Sequence, residues 1–371
     1  MAAVGDLDVI DDQEGKEEKP LLVRMTLEDF ICIAVLGCGS FGKVLLAEYK
    51  KTQKLFAIKA IKKRELVTND NVNRLLCEQR ILELVTRARH PFLNHMFACF
   101  QTELHTCFLL EYAAGGDLLT HSENGSMSEP RTLFYSACAV LGIEFLHSQN
   151  IAHRDIKLSN MLLDAEGYLK IADFGHCKEN MGFRNYADSM TGTVEYLAPE
   201  MFTDKIYTRA VDWWALGVCI YEMLVGKTPF GTDDDRRTRY MIITARVVFP
   251  KFLSKEAVQI IQQLTFKEPR TRLGSGARGE EAVKNQCFFR DISWEDLLAR
   301  RIRPPWVPTI MGRTDVSNFD PHFTVASPNL TPPVDPTTLT EEEQLLFESF
   351  DVPFFALRES DVSGTVSVVS G

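Results

Sequence analysis

An α+β fold in two lobes is what this chain predicts, with a small antiparallel sheet carrying one main helix, a larger helical lobe, and a C-terminal tail wrapped around them. Three observations carry that expectation. Short β-rich runs follow one another between Phe30 and Ala60, and beyond Gly116 the apolar spacing turns helical. After about residue 290 the chain is punctuated by proline and cannot build a core of its own.

The 371 residues suffice for one large two-lobed protein, and at 45% hydrophobic and 25% charged the composition is that of an ordinary soluble chain. A net charge of −10 argues against nucleic acid as a direct ligand. Carboxylates concentrate before Pro20, where periodicity is lacking, so a mobile acidic leader is expected there. The nine cysteines form no C-x-x-C pair and sit mostly in apolar runs such as Phe97-Ala98-Cys99-Phe100, as reduced core thiols do. No signal-peptide pattern opens the chain, and the apolar run Trp213–Gly226 is broken by Glu222 short of a membrane span. The expected location is therefore the cytoplasm or the nucleus.

The first three runs, Phe30–Leu36, Val44–Tyr49 and Leu55–Ala60, predict an antiparallel meander. Between the first two lies Gly37-Cys38-Gly39-Ser40-Phe41-Gly42. A dinucleotide-binding G-x-G-x-x-G opens a helix, whereas here a strand follows, so a glycine-rich hairpin is predicted. Its backbone amides can approach phosphate oxygens without Cβ interference, and Phe41 at the tip can fold over them. Lys59 ends the third strand, and the following helix, with Leu75, Leu76, Leu82 and Val85 on its apolar face, carries Glu78. After a glycine loop, that lysine and glutamate suggest an ion pair that holds the lysine against phosphates.

Cys107–Tyr112 reads as a buried strand running into Ala113-Ala114-Gly115-Gly116, whose small residues suit a hinge. A purine ring would stack there, with Leu110 lining the back of the pocket. Next, Ser128-Glu129-Pro130 starts a helix with an apolar face from Leu133 to Phe145. Further helices are predicted near Asp212–Val225 and Ala257–Phe266. In the tail, Phe347 and Phe350 stand three apart beside Asp351, suited to an apolar groove.

Chemistry concentrates in His153-Arg154-Asp155-Ile156-Lys157-Leu158-Ser159-Asn160 and, after a turn, Asp173-Phe174-Gly175. Asp155 can accept a hydroxyl proton, Lys157 can reach a transferring phosphate, and Asn160 and Asp173 offer the oxygen ligands that magnesium prefers. The full spacing matches the protein-kinase signature set, which chance rarely reproduces at five positions.

From about Leu27 to Phe354 the chain resembles the Ser/Thr protein kinases of the group containing protein kinases A, C and N, and within it the catalytic region of protein kinase N. Val44–Lys50, Met96–Thr102, Glu111–Leu118, Tyr207–Trp214 and Asp315–Asp320 carry that resemblance. It implies a leader at 1–26, a kinase domain at 27–290 with a small lobe at about 27–111 and a large lobe at about 113–290, a tail at 291–355, and disorder at 356–371. It implies ATP and Mg2+ as cofactors, with Leu36, Gly37, Gly39, Phe41, Gly42, Val44, Ala57, Lys59, Leu110, Glu111 and Ala113 around the nucleotide. Lys59 would pair with Glu78, Asp155 would be the base, Lys157 would neutralise the γ-phosphate, and Asn160 and Asp173 would hold the metal.

The resemblance also assigns regulation and recognition. Arg154 would anchor a phosphate on Ser189, placed there by an upstream activating kinase; Thr331 matches a tail phosphosite, and Asp351 supplies a fixed charge where many relatives carry a phosphorylatable residue. Asp117 and Glu222 would face basic residues of protein substrates. Asp212 would brace the catalytic loop, Glu200 would pair with Arg272, and Met96, Leu82, Phe174 and His153 would stack as a spine. The regulatory region of full-length family members, which binds small GTPases and lipids, has no counterpart in this chain, so neither partner is expected from it.

The chain departs from the family pattern at Ser159, where relatives place a carboxylate, at Thr191 and Val194 in the segment Thr191–Glu195, at His176 after the D-F-G, at Val352, and at Asn94 and His95, where an apolar strand is expected. Two functions stay open on the sequence: an active Ser/Thr kinase preferring basic contexts, and a kinase-fold scaffold that binds nucleotide and partners without useful catalysis.

Overall fold

The protein is described from a computed structural model, which covers residues 24–39, 42–123, 125–182, 185–189, 191–204, 206–333 and 339–353. Most of the expected leader, Phe41, and everything after Pro353 lie outside the described residues.

The small lobe is a five-stranded antiparallel sheet of β1 (Phe30–Gly39), β2 (Gly42–Tyr49), β3 (Leu55–Lys62), β4 (Met96–Gln101) and β5 (His105–Glu111), in the order β1-β2-β3-β5-β4. The meander predicted from the first three runs is present, and its hairpin closes with Gly39 opposite Gly42. Gly42 is required by close approach: a Cβ there would meet the Ala60 carbonyl oxygen of β3 at 1.9 Å. Between β3 and the main helix α2 (Val72–Ala88) runs a short helix, α1 (Lys63–Thr68), which the sequence pattern did not announce because six residues show too little of a period. Leu75, Leu82 and Val85 of α2 are buried as expected, Leu76 is only partly buried, and Ile81 and Glu78 are buried with them. Asn94 and His95 are not in a strand. β4 begins only at Met96, so these two polar residues sit in the segment leading into it.

After the hinge come α3 (Leu118–Glu123) and α4 (Glu129–Ser148), the two-stranded ribbon β6 (Met161–Leu163) and β7 (Leu169–Ile171), then α5 (Glu200–Thr203), α6 (Ala210–Val225), α7 (Asp235–Thr244) and α8 (Lys255–Leu264). Helices α4 and α6 are buried around nearly their whole circumference, as a helix at the centre of a large core must be. Among the described residues no helix is long and apolar enough to cross a membrane. Of the nine cysteines, Cys99, Cys107, Cys138, Cys177 and Cys219 are buried and all are free.

The tail returns over both lobes. At the hinge, Gly116 takes a φ of +69° and a Cβ would lie 2.0 Å from the carbonyl oxygen of Asn318, while Phe319 stacks on Tyr112 with centroids 6.0 Å apart. Further on, Phe347 and Phe350 are fully buried in the small lobe. The Phe350 ring meets Phe108 edge-on at 5.1 Å, and the Lys63 ammonium lies 5.2 Å from the centroid of Phe347. Burying each ring contributes roughly 1.5–3 kcal/mol. Val352 then pairs with Cys99 of β4 through two backbone hydrogen bonds of 3.1 and 3.0 Å.

Candidate active site

Every described residue that the sequence assigned to nucleotide, catalysis or metal lines a single cleft of about 660 Å³ between the lobes. Asp117 lines it too, whereas Arg154, Ser189, Glu222, Thr331 and Asp351 lie outside it.

On the upper side, β3 presents Lys59 and α2 presents Glu78. The Lys59 ammonium lies 2.6 Å from Glu78 Oε1 and 2.8 Å from Asp173 Oδ1. Burial alone would lower the lysine pKa, but the two carboxylates outweigh it, so Lys59 is held firmly protonated. Lys59 in turn pulls the Asp173 carboxyl far below the usual range against the effect of burial. Asp173 is therefore a full anion at neutral pH. The sequence reading foresaw the bond to Glu78; the bond to Asp173 joins residues 114 apart in the chain and carries no local signal.

On the lower side, the catalytic loop and the D-F-G turn are held in backbone conformations that β-carbons disfavour. Arg154 has φ +67° and Asp173 φ +61°, each costing about 1–3 kcal/mol. The compensation at Arg154 comes from Asp212 of α6, whose two carboxylate oxygens accept from the backbone N–H of Arg154 (2.7 Å) and His153 (2.9 Å) and also contact His147 at 2.8 Å. Burial would raise the Asp212 carboxyl, but these donors hold it below its ordinary value, so the brace stays ionised. The His153 ring meets Phe174 edge-on at 5.6 Å, and Phe174 shares one hydrophobic core with Leu82 and Met96 of the expected spine.

Asp155 is 3% exposed, and its carboxylate is positioned from three sides. Oδ2 lies 2.9 Å from the Lys157 ammonium and accepts from Asn160 Nδ2 at 3.0 Å, while Oδ1 accepts from Thr193 N at 3.1 Å. Thr193 Oγ1 also accepts from Lys157 at 2.8 Å. Thr193 thus ties Asp155 and Lys157 to the segment Thr191–Glu195, a link the sequence pattern did not show although residues around it depart from the family pattern. With its amide nitrogen engaged by Asp155, Asn160 has its oxygen left to serve as a ligand. An anionic carboxylate and an amide oxygen on one cleft wall fit a hard divalent cation.

Other members of the site came from long-range folding. The tail adds Phe319 and Phe323 to the cleft; the Asn-Phe-Asp stretch marked the family without marking a site residue. Arg74 of α2 bonds the Gly175 carbonyl, His176 Nδ1 at 2.8 Å and Thr191 Oγ1 at 3.2 Å, and His176 also contacts Thr191. Arg74 therefore links the small lobe to the segment that begins after D-F-G.

The residues expected to serve regulation and recognition have definite surroundings. Arg154 donates to Ser189 Oγ at 3.0 Å and to Tyr207 Oη at 3.0 Å. Glu200 and Arg272 form the expected pair, with two bonds of 2.6 and 2.8 Å. Glu222 is buried in α6 and accepts from Tyr196 Oη at 2.6 Å; burial pushes its carboxyl up to about 7. Asp117 caps α3 by accepting from Thr120 N at 2.9 Å. Thr331 is exposed, its backbone carbonyl contacting His105 at 2.9 Å, and Asp351 pairs with Arg24.

Comparison with known proteins agrees with this geometry. Residues 30–288 match the protein kinase domain, and residues 310–351 match the protein kinase C terminal domain. Serine/threonine-protein kinase N2 of Danio rerio is 56% identical over 338 residues, 91% of this chain and 34% of that protein. Serine/threonine-protein kinase N3 of Mus musculus is 51% identical over 325 residues (88% and 37%), and protein kinase C of Aspergillus fumigatus is 44% identical over 310 residues (84% and 28%). The chain spans about a third of the length of these curated relatives. It belongs to the protein kinase family, in the group that carries a protein kinase C-type terminal domain and with protein kinase N among its relatives.

Proposed function

We propose that the protein is a Ser/Thr protein kinase that transfers the γ-phosphoryl group of ATP, with Mg2+, to hydroxyls of protein substrates in basic sequence contexts. The observation that carries the reading is the convergence of the Asp155–Lys157–Thr193 cluster and the Lys59–Glu78–Asp173 cluster on one cleft.

Asp155 takes the proton of the attacking hydroxyl; Asn160 and Thr193 hold its carboxylate in place, so no reorganisation is needed as the proton arrives. The substrate oxygen bonds to the γ-phosphorus as the bond to the bridging oxygen breaks, and ADP leaves. Lys157 stabilises charge on the group in transit, and Lys59, kept cationic by its two carboxylates, positions the remaining phosphates. Magnesium, which Asn160 and Asp173 would hold, supplies charge neutralisation at the phosphate oxygens.

The proposal extends to control. Phosphate on Ser189, placed by an upstream kinase, would gain charge-assisted bonds from Arg154 and order the activation segment, with Thr331 and Asp351 serving in the tail. Asp117 and Glu222 would read basic residues of the substrate, and the protein would act in the cytoplasm or nucleus. Incubation with magnesium-ATP and a library of basic Ser/Thr peptides tests the activity. Peptide phosphorylation is expected; nucleotide binding without any transfer, even after phosphorylation of Ser189, would overturn the reading in favour of a scaffold.

A further inference from the structure

The segment Thr191–Glu195 meets the small lobe at a cation that is held only by neutral groups. Arg74, exposed near the start of α2, spends its guanidinium on Asn71 Oδ1 and the Gly175 carbonyl at 3.4 Å each, on His176 Nδ1 at 2.8 Å and on Thr191 Oγ1 at 3.2 Å. Among the described residues no carboxylate pairs with it. Because Arg74 can only donate, His176 Nδ1 carries the lone pair and the ring is neutral, in keeping with the burial that lowers its pKa. The Thr191 hydroxyl contacts that same nitrogen. Two residues earlier, the Ser189 hydroxyl faces a different cation, Arg154 of the catalytic loop, at 3.0 Å. Thr191 is partly exposed, so its hydroxyl and the Arg74 guanidinium meet at the surface.

We propose that Thr191 is a second phosphoacceptor of this segment, and that Arg74 and His176 hold its phosphate. The inference goes beyond the Ser189 reading and does not rest on it. In the step itself the Thr191 oxygen bonds to the γ-phosphorus of ATP as the bond to the bridging oxygen breaks, and ADP leaves. The hydroxyl proton passes to the base of a separate kinase molecule, since Thr191 faces Arg74 and not its own Asp155. The product carries about −1.5 to −2 charges at neutral pH and three acceptor oxygens, which suits a guanidinium otherwise held by neutral groups. The same charge favours the imidazolium form of His176, which turns Nδ1 from acceptor into donor. Asp155 and Asp173 push that ring the same way, while burial, Arg74 and Lys157 oppose them. Arg74 and Glu78 stand one turn apart on the same face of α2, so a tie at Arg74 helps to hold Glu78 against Lys59. Phosphate on Ser189 would act on the large lobe through Arg154; phosphate on Thr191 acts on the small lobe.

The full chain with phosphothreonine incorporated at position 191 during translation, compared with the full chain carrying phosphoserine at position 189, tests the assignment. A broad-specificity phosphatase is expected to release the Thr191 phosphate at least roughly tenfold faster from Arg74→Gln than from the chain with Arg74 intact, the worth of one charge-assisted hydrogen bond. Release from Ser189 should be the same in both. Arg74→Lys, which keeps the charge and loses the planar fork, should fall between. The His176 ring, followed by NMR, should titrate at higher pH once Thr191 is phosphorylated. Equal release with and without Arg74, an Arg74→Gln effect at Ser189 as large as at Thr191, or an unmoved His176 titration overturns the inference. Phosphopeptide mapping of the full chain expressed in eukaryotic cells should find Thr191 modified, and a map without phosphate on Thr191 overturns it as well.

Discussion

Replacing Arg272 by methionine is expected to destabilise the large lobe by about 3–5 kcal/mol, because it leaves a buried carboxylate without its partner. Arg272 is 2% exposed and Glu200 is 3% exposed. The guanidinium gives two bonds to the Glu200 carboxylate, at 2.6 and 2.8 Å, and others to the carbonyls of Phe266 (2.9 Å) and Ala210 (3.2 Å), with Trp214 beneath it at 5.1 Å. Removing it strands the charge and at least two carbonyls together. Replacing both partners by methionine removes the stranded charge, so the double variant should be more stable than Arg272→Met by roughly 0.5–3 kcal/mol, the range of a contact coupling. Urea unfolding followed by tryptophan fluorescence reads this directly, since Trp213 and Trp214 are both buried in α6 beside the pair. A loss below about 1 kcal/mol for the single variant, or strict additivity in the double, would refute the reasoning.

Ser189→Ala should lower kcat/KM by roughly tenfold to a hundredfold relative to Ser189-phosphorylated protein, the worth of charge-assisted bonds to Arg154; equal activity in a peptide assay would rule the switch out. Glu222, with its carboxyl raised to about 7, is protonated below that pH, so KM for an arginine-containing peptide should fall as pH rises through about 7, and Glu222→Gln should flatten that dependence. The same raised value means that its contribution to stability is complete below about 4.5 and is lost as pH rises through about 7, so urea midpoints of wild type and Glu222→Gln should diverge with rising pH. Phe350→Ala should cost about 3–5 kcal/mol of tail docking, seen as faster hydrogen exchange at the Cys99 amide that pairs with Val352, with α6 protection unchanged; undiminished protection at Cys99 would count against the docking role.

What could be read before the fold was known followed sequence distance. The glycine hairpin announced itself because the strands flanking it are contiguous, and Lys59 with Glu78 because only a strand end and one helix separate them. The spacing from His153 to Gly175 placed Asp155, Lys157, Asn160 and Asp173 in one neighbourhood through a short ribbon. Residues that complete the site from far along the chain were illegible individually: Asp173 on Lys59, Thr193 on Asp155 and Phe319 at the cleft each depend on how the lobes and tail close. Asn94 shows the opposite case. Its polarity was visible as a break in an expected strand, but only the fold shows that the strand starts two residues later and that the amide faces the hinge carbonyl. Helix α1 escaped because local pattern fails for elements of one or two turns.

The account stands most directly on Asp155→Asn. Asparagine keeps the volume and an acceptor for Thr193, so the cleft and its grip on ATP should persist while the base is lost. Measured side by side, nucleotide affinity should stay within about twofold of wild type while phosphoryl transfer to a peptide falls by roughly 10²–10⁴-fold, the range of general base catalysis. Transfer at the wild-type rate by Asp155→Asn would contradict the assignment of this cleft as the site of catalysis.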